Sequence, residues 1–308
     1  MINRILIRIK VIQIVYSYYL NAKRDLPSVE KELFFSLRKA YELYNLLLLL
    51  PIEITELQRR KLDAGKHKLL PGKTDLAPNT KFIENKFVLR LSENKQLEKI
   101  VASENISWTN DIDFVKRLSE TILNSELYDE YMNASDSSFE ADHEFWRKIF
   151  KSFICNNEDL EQVLEDSSVY WNDDLEIVST FALKTIKRFN ENSEAEENLL
   201  PMFKDDEDVR FAEELLRRTI MYQSEYRDLI QKQAKNWEFE RIALMDLIVM
   251  QTALAELTSF PTIPVRVTLN EYIEIAKHYS TEKSGTFING ILDGIVASLK
   301  KENKLLKN

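Results

Sequence analysis

The chain has 308 residues, 44% hydrophobic and 30% charged, an ordinary soluble composition with room for one large core or two smaller ones. One cysteine, Cys155, excludes an intrachain disulfide, and three scattered histidines (His67, His143, His278) give no metal-ligand spacing, so the chain reads as reduced, metal-free and without a cofactor. The net charge of -9 is uneven: residues 1–103 carry a net +8, 104–214 a net -19 and 215–308 a net +2, so acidity does not exclude a basic face that binds nucleic acid.

Prolines and glycines are few, and no glycine occurs between Lys73 and Ser284, which predicts a helical protein. The apolar N-terminus is interrupted by Arg4, Arg8 and Lys10, with no small-residue cleavage site after it, and the "LLLLL" run at Leu46–Leu50 is too short to span a bilayer. The expectation is a cytoplasmic protein with no membrane contact.

In the first twenty residues Ile2, Ile5, Ile9, Ile12, Tyr16 and Tyr19 follow helical spacing, although "IRIKV" also alternates as a strand would; length without a turn signal favours helix. Ser28 is placed to cap a second helix reaching about Arg60, which Pro51 should kink or divide. Residues 61–81 have two glycines, two prolines and no periodic apolar face, and read as an exposed loop. Nine Lys/Arg between Arg59 and Arg90 make this segment either a solvated linker or a phosphate-tracking arm.

From Phe82 to Asn190 short amphipathic helices are expected, with starts near Asn110, Ser138 and Asp173. "ENSEAEEN" followed by Pro201 is the best boundary in the chain. Beyond it, helices are expected from Phe203 to about Lys235 and from Arg241 to Thr258. Thr268 with Glu271 reads as a capping box, closed by a staple of Val267 on Tyr272.

No phosphate-cradling glycine loop, nucleophile elbow or His-paired cysteine is present, so catalysis has no visible seat. Carboxylate pairs in the acidic middle read as a solvated face, and Cys155 as a small core residue beside Phe153 and Ile154. Three of the five glycines, Gly285, Gly290 and Gly294, fall in "AKHYSTEKSGTFINGILDGI". Either the last helix crosses a neighbour closely there, or its N-terminus near Ser284 meets an anion, with Phe287 expected to be exposed for stacking on a base.

The stretch "TIPVRVTLNEYIEIAKHYSTEKSGTFINGILD" resembles the C-terminal signature of the NusB family of transcription antitermination factors. That signature has a proline-valine break, a valine-x-isoleucine-asparagine-glutamate helix start, an "ELAK" turn and a closing "S..FVNGVLD". Upstream, Trp237, Arg241, Asp246 and "TALAEL" match the preceding helix, and "RIKVIQIVYSY" resembles the family's first helix. The resemblance implies an all-α fold, a NusB-like helical bundle of two packed three-helix subdomains. It assigns 1–22 plus 200–308 to the NusB-like RNA-binding domain and leaves 23–199 as an inserted helical region.

By the same resemblance, the partners are boxA-type RNA of rRNA leader transcripts, a small-subunit ribosomal protein acting as NusE, and the RNA polymerase antitermination complex. Arg4 and Arg8 fall at phosphate-contacting arginines, Tyr16 at the aromatic position of the family's "QALY", and Lys283, Ser284 and Phe287 on the RNA surface. Asp246 and Glu256 match acidic positions near the partner protein. The chain departs from the pattern at Ile5 and Leu6, where arginine is usual, at Gln251, also an arginine in the family, and at Lys283, an aspartate in the best-known members. Weaker RNA affinity is therefore expected, partly offset by Lys283. A scaffold that has kept the fold and lost the RNA is the alternative. An rRNA methyltransferase with a NusB-like domain is a third class, for which the chain lacks a cofactor-binding domain.

Overall fold

The computed structural model describes residues 1–21, 24–67, 78–192, 199–234, 239–281 and 283–305. Among them every regular element is helical. The chain forms two compact units, one of Met1 with Arg38–Met202, the other of Ile2–Leu37 with Phe203–Asn308. The divisions fall at Leu37/Arg38 and Met202/Phe203, where the expectation had 22/23 and 199/200.

Helix α1 is Arg4–Leu20, so the helical reading of the first segment holds; Asn3 caps it by accepting from the Leu6 N–H at 2.9 Å. Helix α2 runs unbroken over Leu26–Lys66 with Pro51 inside it. It starts two residues before Ser28, whose N–H donates to the Asp25 carboxylate at 3.2 Å, so Asp25 holds the entrance. The proline does not divide the helix, because the flanking turns are buried, with Leu46 to Pro51 and Ile54 all facing inward, and the helix runs past the expected end near Arg60 to Lys66.

In the first unit, short helices follow α2: α3 (Lys86–Ser92), α4 (Lys95–Glu104), α5 (Ile112–Leu123), α6 (Glu126–Asn133), α7 (Phe139–Ile149), α8 (Glu158–Ser167) and α9 (Leu175–Arg188). Side-chain caps at Asn85, Asn94, Ser125, Ser138 and Asn157 set five of their starts. The core is aromatic: Trp108 and Trp146 are enclosed, and the Trp108 indole donates to the Leu46 carbonyl of α2 at 2.9 Å.

Of the stretch 61–81 expected as an exposed loop, 61–66 continue helix α2 instead, and two of the basic residues at and near its ends are held inside this unit. Arg59 donates to the Ile83 carbonyl at 2.8 Å, and Lys81 to the Tyr131 and Ala134 carbonyls at 2.6 and 2.8 Å, where α6 ends. Lys68 and Lys73 lie outside the described residues. Cys155 is half-buried after a π-helical turn, Phe150–Ile154, and burial pushes its thiol up, which makes it a poor nucleophile.

The second unit contains α1, the start of α2, and α10 (Asp206–Met221), α11 (Gln223–Gln233), α12 (Leu244–Ser259), α13 (Val265–Tyr279) and α14 (Ser284–Lys301). Helix α12 packs against α1, α10, α11, α13 and α14. Every residue from Asp246 to Leu257 is consequently buried, so α12 is enclosed on all sides and not merely along one stripe. No described helix is long and apolar enough to cross a membrane.

Candidate functional site

Because α12 is surrounded, its polar residues must find partners inside the unit. Glu256 is fully enclosed, and four donors converge on it. Arg8 Nε and Nη2 reach its carboxylate at 2.7 and 2.9 Å, Thr268 Oγ1 at 2.8 Å and Tyr272 Oη at 3.2 Å. Burial opposes the Arg8 charge. The Glu256 hydrogen bonds, with coulombic attraction from Tyr272, Glu256 and Glu271, outweigh it and hold the guanidinium above its ordinary value. Burial first, and the Glu256 charge second, push the Tyr272 hydroxyl well up.

This cluster changes the reading of the α13 start. The helix begins at Val265, directly after Pro264, and Thr268 lies in its first turns with its hydroxyl turned to Glu256. Glu271 stands 3.6 Å from Arg8 Nη1. The residues expected to form a capping box thus serve the buried ion pair instead. Thr268 and Tyr272 are four apart and share a helix face, which sequence shows, but the carboxylate they face is not local to them.

Arg4, one turn before Arg8, stays partly exposed. Its guanidinium lies over the Phe211 ring, 5.1 Å from the centroid, with Nη2 2.9 Å from Glu207 and Nε 3.5 Å from Asp208. Arg4, Arg210, Phe211, Arg217, Phe260 and Thr262 border an open groove of about 300 Å³. Tyr16, farther along α1, is half-buried.

At the other end of α12, ten residues or about 15 Å from Glu256 by helical rise, Asp246 accepts from the Ser280 hydroxyl at 2.6 Å. Ser284 donates to Ser280 Oγ at 3.1 Å, and its own oxygen accepts from the Thr281 N–H at 3.1 Å. Ser284, with 1% of its surface exposed, ties the entrance of α14 to α12. Lys283 is exposed beside it and Phe287 is half-buried one turn on.

Between these ends Gln251 is fully buried, accepting from the Tyr19 hydroxyl at 2.8 Å and donating to the Gln223 carbonyl at 2.9 Å. Leu6 is likewise enclosed, so of the arginine positions that differ only Ile5, 39% exposed, lies at the surface. Sequence placed Arg8 at a phosphate and Glu256 at a partner protein; the structure places them against each other inside the unit. Asp246 and Ser284 are joined through Ser280. Glu207, Asp208, Phe211 and Ser280, all in contact with these residues, were not singled out from sequence, and Thr268 and Tyr272 were read there only as capping and staple residues.

The three glycines separate. A Cβ on Gly285 would stand 3.1 Å from Lys277 Cγ, so this is where α14 approaches α13 closely. A Cβ on Gly290 would meet nothing within 4 Å, so it does not serve helix packing here. One on Gly294 would strike the Gln233 side chain of α11. None has positive φ. Among the described residues no group of His, Cys, Asp and Glu is arranged to hold a metal ion.

A family model described as the NusB family matches residues 177–297. A protein named transcription antitermination protein NusB from Salinibacter ruber (strain DSM 13855 / M31) is 42% identical over 108 residues, 35% of this chain and 68% of that protein. Proteins of the same name from Desulfitobacterium hafniense (strain DSM 10664 / DCB-2) and Desulfatibacillum aliphaticivorans are 41% identical over 96 residues and 42% over 99. These matches cover 31% and 32% of this chain and 65% and 69% of the relatives. The chain thus spans about two thirds of the length of these relatives, and no solved structure matches it significantly. The matched segments, α12 to α14 among them, establish that this chain belongs to the NusB family.

Proposed function

We propose that the chain is a non-catalytic transcription antitermination factor. In this reading it binds boxA-type RNA of rRNA leader transcripts together with a small-subunit ribosomal protein acting as NusE, within the RNA polymerase antitermination complex. The name shared by its relatives supports the general role. The observation that carries the RNA reading is the start of α14. Ser284 is locked down by Ser280 and Thr281, which fixes a turn that presents the Lys283 charge and the Phe287 ring. A cation and an aromatic ring four residues apart at a held helix entrance suit a single-stranded phosphate and its base. Arg4 and Tyr16 add a partly exposed guanidinium and a ring on α1.

In this proposal Arg8 and Glu256 hold α1 on α12 and touch neither RNA nor partner, while Asp246 braces the α14 entrance. Salt-titrated binding of a boxA RNA against a scrambled one, with and without the ribosomal protein, is the test. Preference for boxA is expected, and Arg4→Ala should lower the salt slope by about one phosphate contact. Absence of preference even with the ribosomal protein present sinks the reading.

The consumption of Arg8 and Glu256 inside the unit favours one second reading, a scaffold whose partner binding does not involve RNA. Under it, Arg4→Ala and Phe287→Leu leave binding of the ribosomal protein unchanged and no RNA effect is seen.

A further inference from the structure

Within the second unit, Arg210, Arg227 and Arg266 are exposed and form no ion pair among the described residues, and of these three Arg227 has an aromatic ring beneath its guanidinium. Arg4, Arg8, Arg24, Arg217 and Arg218 all face carboxylates at 3.5 Å or closer. Arg227 is exposed and pairs with no carboxylate among the described residues; its guanidinium lies over the Phe239 ring, 5.5 Å from the centroid. Its own helix explains this. At 100° per residue Arg227 shares the α11 face of Gln223, whereas Glu225 and Asp228 turn to the groove that Tyr222, Tyr226 and Leu229 line.

The turn of α11 that carries Gln223 and Arg227 is joined to the end of α1 through the buried Gln251, which bridges the Gln223 backbone carbonyl and the Tyr19 hydroxyl. Tyr18 stands edge-on to Tyr19, 6.2 Å between centroids at 90°. Burial pushes the Tyr19 hydroxyl up, opposed by its Gln251 hydrogen bond and by the Arg227 charge, in keeping with the linkage through Gln251. Tyr18, Tyr19 and Phe239 are each half-buried, so each keeps an accessible face or edge. Three rings and an unpaired planar cation, one ring anchored through a buried amide, make a platform for a base with a phosphate beside it.

We propose that Tyr18, Tyr19, Arg227 and Phe239 form a stacking site for single-stranded RNA, distinct from the start of α14. The proposal deepens the RNA reading above and rests on it for the boxA sequence, though not for the site itself. An exposed Arg stacked on an aromatic ring is sequence-tolerant, so the site holds the strand and leaves base selection to other contacts.

The test is equilibrium binding of a boxA RNA and of hexa-adenylate to wild-type protein, Arg227→Ala, Arg227→Lys and Tyr19→Leu, with circular dichroism melts as the folding control. Arg227→Ala is expected to weaken both RNAs about fivefold or more. Arg227→Lys, which keeps the charge without the planar group, should recover less than half of the loss. Wild-type preference for boxA with Arg227→Ala unchanged on both RNAs overturns the stacking site and leaves the functional reading intact. Hexa-adenylate binding that Arg227→Ala weakens, without boxA preference, supports the site and removes the boxA reading. Binding of neither RNA by wild-type protein overturns both. Full recovery by Arg227→Lys reduces the site to a point charge and overturns the stacking claim.

Discussion

Arg8 and Glu256, 248 positions apart in the chain, meet as a bidentate pair, Nε to Oε2 at 2.7 Å and Nη2 to Oε1 at 2.9 Å, with 3% and 0% of their side chains exposed. A buried pair of this kind adds little over apolar residues of similar size, but removing one partner strands the other in a low dielectric. Arg8→Ala should therefore cost about 3–5 kcal/mol in urea denaturation. Arg4→Ala, one turn away, loses a pair whose Glu207 is 70% exposed, and should cost less than about 1 kcal/mol. Equal losses for the two variants would contradict the division of roles between the two arginines.

Tyr272 gives the unit an alkaline limit. Its hydroxyl, enclosed and bonded to Glu256, holds its proton well above the usual tyrosine range near 10. Above about pH 10 the unfolded chain releases this proton while the folded chain keeps it, so the folded state binds more protons and stability falls as pH rises. Below that pH both states are protonated and the contribution is complete. Tyr272→Phe should cost about 1 kcal/mol at neutral pH for the lost hydrogen bond and flatten the decline above pH 10. Urea melts across pH 7 to 11 measure both effects; an unchanged alkaline slope in the variant counts against the assignment.

The glycines of α14 predict opposite outcomes for one substitution. A methyl group at Gly290 meets open space in a helix interior, so Gly290→Ala should stabilise by about 0.5–1 kcal/mol. At Gly294 the methyl group must displace the Gln233 side chain, which offsets that gain and leaves the change near zero. Paired thermal melts read the difference directly. A larger gain at Gly294 than at Gly290 would show that α11 and α14 are not packed as described.

Periodicity carried the elements well where a helix is amphipathic or locally capped: the 3,4 spacing in α1 and Ser138 ahead of α7 were legible because the signal is confined to neighbouring residues. Where a side chain answers to a distant partner, local rules mislead. Thr268 and Glu271 have capping-box spacing, yet a buried carboxylate on another helix draws the hydroxyl inward. Pro51 breaks an isolated helix but not α2, whose neighbouring leucines are buried. The resemblance placed Arg8 at a phosphate and read Gln251 as a lost arginine, and only packing around α12 reveals that both are interior.

The same interior logic predicts how the α14 entrance is held. Asp246 is 7% exposed and accepts from Ser280 at 2.6 Å, and Ser280 accepts from Ser284 at 3.1 Å. Ser280→Ala removes the donor from a carboxylate that water reaches poorly, and should cost about 1–3 kcal/mol. Because Asp246→Asn changes the other end of the same bond, the two substitutions share one interaction. The double variant should then be less destabilised than the sum of the singles, with coupling of at least about 0.5 kcal/mol in a urea double-mutant cycle. Lys283 and Phe287 hang on this turn, so loosening it should also weaken boxA binding while leaving the Arg4 share of the salt slope unchanged. Strict additivity, or boxA binding that Ser280→Ala leaves unchanged, would mean that the α14 start does not depend on Asp246.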